Sequence, residues 1–359
     1  MEFALVKVKL QDEAQVPMIR DMTDVLPYHS IPQPPQPDRS GRILAVGIIL
    51  TICGVMTSCI LAIAPLALLA PQPPGEPGVE KSQIVGAMLI YLVLSIILLT
   101  LGIGTFMKRR WIRPLTIILS THWMIGGVFT VFAMLLMYPV LLASMTAPAG
   151  GVSLPPGTTS AILIVIILMI GVIGIALPAL LIWLLKSEEC RITLEWFDNK
   201  ARWTDHCPLK ILGLAITLCV AGLLFASSIP YAMVPGVIVH ITGAPAVVLI
   251  MIFSALLLLA GYWVYRLKMT GWWIGFGVIV VFAVLASLTP VFVSPVEYYR
   301  SFGMTPDQLA IYKTHEDSLR WLFIAMSLLF GISFAIYMLR LKPVMEQAIR
   351  EQSARSSTR

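Results

Sequence analysis

No Asp, Glu, Lys or Arg occurs between Arg113 and Lys186, and none between Lys210 and Arg266. Each interval is far longer than the roughly 20 apolar residues that carry a helix across a bilayer core. Each must therefore hold two spans. The hydrophobic share of 58%, the charged share of 12% and a mean hydropathy of +0.88 agree with a chain whose solvent is lipid.

Cutting the apolar runs at Pro, Gly and charge clusters predicts eight spans, near 43–69, 84–107, 112–143, 160–185, 209–230, 246–266, 272–293 and 320–341. The expected fold class is an all-α integral membrane protein, a bundle of about eight transmembrane helices. The expected connections are Pro- and Gly-rich: Pro71 to Gly78, Pro148 to Gly157, and Pro230 to Pro245. Residues 1–42 carry Lys7, Lys9, Asp12, Glu13 and Arg20 ahead of a Pro-rich stretch. They predict a flexible segment rather than a cleaved signal peptide.

All but four of the 25 Lys and Arg fall on one side of this threading, the exceptions being Lys81, Arg300, Lys313 and Arg320. Basic residues near span ends are retained in the cytoplasm. Both termini are thus expected there, in a plasma or bacterial inner membrane. The domain plan is a cytoplasmic segment 1–42, spans one to four over 43–186, a cytoplasmic connector 187–208, spans five to eight over 209–341 with an external loop at 294–319, and a cytoplasmic tail 342–359. In that loop, Thr305-Pro306-Asp307-Gln308 has the form of a helix start.

Spans two and six both end in a basic turn followed by tryptophan: Lys108-Arg109-Arg110-Trp111, and Arg266-Leu267-Lys268 before Trp272-Trp273. Spans four and eight end alike, at Leu184-Leu185-Lys186 and Leu339-Arg340-Leu341-Lys342. Two parallel four-helix halves are one expectation from this plan, with Trp111 aligned to Trp272. Generic interface grammar is the other.

His122 is the one ionisable group expected within a span, about ten residues and so roughly 15 Å past Arg113. The residues weighed as a substrate contact are His122 with Ser120 and Thr121, and Ser227 and Ser228 beside Pro230. For each, the plain alternative is a side chain hydrogen-bonded within or between helices. No Asp or Glu lies within a span, which argues against carboxylate-coupled cation transport. A haem axial pair is also missing at membrane depth.

The connector holds Cys190, His206 and Cys207, but with no C-x-x-C pair and with adjacent His and Cys the spacing is poor for zinc. Its Trp196, Phe197 and Trp203, interleaved with Arg191, Lys200 and Arg202, suit the headgroup boundary. No metalloprotease, nucleophile-elbow, phosphate-loop or dinucleotide motif occurs. Catalysis by this chain alone is not expected, and neither are a cofactor or nucleic acid. The function expected is a non-catalytic component of a membrane assembly, its partners the lipid bilayer and other membrane proteins. The alternatives are a carrier or channel for a small neutral or apolar solute using His122, and an enzyme on lipid-borne substrates using Asp198, Asp205 and His206.

Overall fold

The computed structural model describes residues 39–69, 81–146, 156–229, 233–234, 241–301 and 306–357. The flexible segment expected before residue 39, the loop over 71–78, most of the linker over 148–157 and the capping Thr305 lie outside the described residues. What is described is almost entirely helical, with eight helices long and apolar enough to cross a membrane. In lipid every backbone N–H and C=O must be paired within the segment, so apolar runs of this length have little choice but to coil.

The first three spans are α1 (Ser40–Leu69), α2 (Lys81–Phe106) and α3 (Ile112–Leu136). The third was expected to run to residue 143. Instead it stops at Leu136, and a separate α4 covers Tyr138–Thr146. Pro139 explains the break, since it has no N–H to donate and suits the first turn of a new helix.

The fourth span is α5 (Pro156–Gly171) joined to α6 (Leu177–Lys186) through a π-helical turn at Val172–Ala176, just before Pro178. Pro178 removes a rung of the ordinary ladder. The wide turn shifts the pairing, and Leu177 N–H reaches back to Val172 O.

After α7 (Glu188–Phe197) come the fifth to seventh spans, α8 (Leu209–Ser227), α9 (Ala244–Tyr265) and α10 (Met269–Phe292). A two-residue antiparallel pairing of Met233–Val234 with Ile241–Thr242 lies between α8 and α9. Short helices α11 (Pro295–Ser301) and α12 (Pro306–Thr314) precede α13 (Glu316–Ser357). The last span was expected to end near residue 341. The helix continues through Pro343, so the described part of the tail is helical.

Each half is a ring of four helices. In the first, α1 packs on α2, α2 on α3, α3 on α6, and α6 on α1. In the second, α8, α9, α10 and α13 meet in the same order. The joints repeat residue by residue. Ser95 Oγ donates to Gly54 O between α2 and α1, and Ser254 Oγ donates to Gly222 O between α9 and α8. Gly102 lies against Thr51, where an added Cβ would come within 2.4 Å of Oγ1, and Gly261 lies as close to Cys219.

Both hairpins end in left-handed non-glycine residues, Lys108 and Leu267. There the bonds Lys108 N–H to Thr105 O and Arg109 N–H to Gly104 O are matched by Leu267 N–H to Val264 O and Lys268 N–H to Trp263 O. Gly127 crosses Gly174 between spans three and four. Ser327 Oγ donates to Ala286 O at the corresponding crossing of spans seven and eight. Ser95 to Ser254, Gly102 to Gly261, Lys108 to Leu267 and Gly127 to Ala286 are equal steps along the chain, and that step sets Arg113, not Trp111, opposite Trp272. The tryptophan alignment expected from sequence is two residues out of register.

The halves meet where α3 lies against α8 and α13. Ile118 packs with Leu212 and Cys207, and Phe129 meets Phe330 edge-on at 6.1 Å.

Candidate functional site

His122 sits in this seam. Its Nδ1 lies 2.7 Å from Ile118 O, one turn back on α3, and its Nε2 lies 2.6 Å from Thr217 Oγ1 on α8. A carbonyl only accepts, so the first contact places a proton on Nδ1. In the neutral ring Nε2 then accepts from the Thr217 hydroxyl. That hydroxyl also lies 2.7 Å from Gly213 O. With one proton, Thr217 serves either His122 or Gly213 at a time.

The other residues singled out from the sequence are not gathered around this ring. Thr121 Oγ1 donates to Ile117 O, Ser227 Oγ to Leu224 O and Ser228 Oγ to Phe225 O. Each is a local back-bond. Ser227 lies ten residues beyond Thr217 on α8, about 15 Å along the axis, too far to share a ligand of ordinary size with His122. Ser120 is different: it is buried and its hydroxyl has no hydrogen-bond partner among the described residues. Thr116, one turn earlier on the same face, is in the same condition. The helical repeat carries that face on to Gly127, which meets Gly174 backbone to backbone.

At the basic end the connector is a formed, ion-paired platform. Ser187 caps α7 by accepting from Cys190 N–H. Arg39 Nε reaches Glu189 Oε2 at 2.6 Å, and this hydrogen bond holds the Glu189 carboxyl below the usual carboxylate range. Asp198 accepts from Arg202 Nη2 at 2.9 Å and Nε at 3.1 Å, and from Arg110 N–H. The Arg202 bonds are the main cause of its lowered pKa, so it stays ionised and structural.

Asp205 closes a turn onto Arg202 N–H and pairs with Arg110 Nε. Lys108 lies over the Phe197 ring at 3.7 Å. Cys190 is buried and donates to Leu184 O, and burial pushes the Cys207 thiol up to about 11. Among the described residues no group of three or more His, Cys, Asp or Glu converges as a metal site would require.

Between the start of α3, α7 and the start of α8 lies a pocket of 230 Å³ whose polar walls include Arg110, Arg113, Arg191, Glu195, Thr204 and Asp205. Sequence reasoning missed it. Arg110 and Arg113 were read only as marks of topology, and no spacing in the chain brings Arg191 or Thr204 to them. The one local signal was Arg113-Pro114, a cation fixed in the first turn of a span.

Comparison with protein-family models, with curated proteins and with solved structures finds nothing that matches this chain.

Proposed function

We propose that this chain is a non-catalytic subunit of a membrane assembly, multi-pass, with its basic side and both termini in the cytoplasm. One observation carries the reading. The surface of α3 that seats the second half recurs on α10, and there it is open. Ile118, His122 and Phe129 have Gly277, Val281 and Leu288 as their counterparts. Among the described residues nothing lies within 4 Å of a Cβ at Gly277, and Val281 is half exposed. A notch where the first half carries a knob admits the close approach of another helix. The partner is accordingly a membrane protein that offers a span to α10.

A carrier would need His122 for its solute, but both ring nitrogens are held within the chain. An enzyme would need Asp198, Asp205 and His206, and both carboxylates are tied to arginine. The test is photo-crosslinking from residue 281 in native membranes. A discrete protein adduct that disappears in Gly277→Leu is expected, and adducts to lipid alone would overturn the reading.

A further inference from the structure

We propose that the pocket at the basic end binds a phosphate group, borne by a lipid headgroup or free in solution, through Arg113 supported by Arg110, Arg191 and Thr204. The argument begins with a comparison inside the molecule. Arg113 Nε donates to Leu185 O at 3.0 Å and Nη2 to Lys186 O at 3.4 Å, pinning the end of span four to the start of span three. At the matching joint Trp272 Nε1 donates to Met338 O at 3.1 Å. A neutral indole makes the same joint, so pinning two helices there does not call for a cation. Among the described residues no carboxylate stands within ion-pair distance of Arg113, Glu188 and Glu195 acting on it only from further off, and the guanidinium cannot shed its proton. Its charge is surplus to the fold.

The walls around it carry matching donors. Arg110 Nη2 lies 3.3 Å and Arg191 Nε 3.7 Å from the same Glu195 oxygen, and Arg110 Nε also holds Asp205 at 3.3 Å. These contacts fix two further guanidiniums while leaving part of their five N–H donors unused. They also neutralise Glu195 and Asp205, and Glu188, outside the walls, pairs with Arg191 as well, so the guanidinium left without a carboxylate partner among the described residues is that of Arg113. Thr204 is 4% exposed and its hydroxyl has no partner among the described residues, a condition that a buried polar group rarely keeps without a ligand or water. Helices α3 and α8 both begin at the pocket, turning the positive ends of their dipoles toward it.

Phosphate suits this set better than a carboxylate. It offers several acceptor oxygens at once, and arginine forks match them in pairs. At about 30 Å³ per water, the 230 Å³ pocket has the room of several waters, enough for a phosphate and the first atoms of its ester. Arg113 stands in the first turn of a span, and Trp196 and Trp203 of the connector are exposed. This is the depth at which headgroups lie. The site is independent of the α10 partner surface.

The test uses the full-length protein in dodecyl maltoside, which carries no phosphate. It is titrated with inorganic phosphate, with phosphatidate in mixed micelles, and with diacylglycerol as the phosphate-free control, reading melting temperature and, by native mass spectrometry, retained ligand. Stabilisation by inorganic phosphate assigns the site to free phosphate. Stabilisation by phosphatidate but not by inorganic phosphate or diacylglycerol assigns it to a headgroup. Arg113→Gln is expected to weaken binding about tenfold or more, as loss of a charge-assisted contact does.

Arg109→Gln removes the same charge outside the pocket walls and is expected to leave affinity within about twofold. Should Arg113→Gln fail to fold, Thr204→Val and Arg191→Gln carry the test, each with weaker binding. Equal losses in the Arg109 and Arg113 variants, wild-type binding in all the pocket variants, or no response to either phosphate ligand would overturn the proposal.

Discussion

The second ring of helices closes over a continuous apolar core. Trp272, fully buried, stacks on Phe276 at 5.1 Å, with Leu214, Leu218, Leu257, Val264 and Met338 around it. The first ring has the same joints but a smaller core. It also contains Thr51, Thr116 and Ser120, whose buried hydroxyls lack partners among the described residues, the π-helical turn, and the backbone contact of Gly127 with Gly174. The difference teaches what a repeated architecture permits. Once one copy supplies packing, the other can keep polar atoms and an irregular turn that packing alone would not select.

Substitutions can break or sharpen this contrast. Trp272→Ala should cost most, about 3–5 kcal/mol as for other fully buried aromatics, read as a fall in unfolding midpoint in detergent. A loss no larger than that of Trp111→Ala would remove the asymmetry of cores. Gly127→Ala comes next. Its Cβ would fall 2.1 Å from Gly174 O, so a destabilisation of about 1–3 kcal/mol is expected, while Ala286→Gly at the matching crossing should cost less.

Across the seam, a double-mutant cycle of His122→Ala with Thr217→Val should return a coupling of roughly 0.6 kcal/mol and no more than about 1.7. Zero coupling would mean that apolar packing alone holds the halves together. Ser120→Ala and Thr116→Val should be neutral or slightly stabilising, since each removes an unsatisfied hydroxyl. Ser254→Ala, which breaks a made bond, should cost about 1 kcal/mol. Opposite signs in the two halves are the outcome to look for.

The mildest probe is pH. Glu189 and Asp198 are both held below the ordinary carboxylate range. Their contribution is complete above the unfolded value near 4 and fades as pH falls through the lowered one. Proteolysis of the connector should therefore begin only in acid more extreme than about pH 4, with the spans still intact.

The eight spans were legible because a charge-free run can be measured against a bilayer. The form that an interruption takes was not. Pro139 and Pro178 mark where spans three and four can bend, but nothing in the chain says that the first break ends a helix while the second becomes a π-helical turn. The repeat was half legible, since the basic turns announce it, whereas Ser95 with Ser254 and Gly102 with Gly261 are single matches in unlike surroundings. His122 was found, but its occupation by Ile118 and Thr217 depends on which face of α8 turns inward. The arginine pocket was illegible for a related reason: a cation that marks topology and one that faces a cavity look the same until α7 folds over them.

The final helix runs for 42 residues without interruption, about 63 Å, or twice the roughly 30 Å hydrocarbon core. Met345 and Ala348 still sit in the core beside Ile211 and Trp272, while the opposite end leans on α11 and α12. One continuous element thus joins the short helices α11 and α12 at one end of the bundle to the packed residues Met345 and Ala348 at the other, so a displacement imposed at either end would be passed along the backbone itself rather than from side chain to side chain.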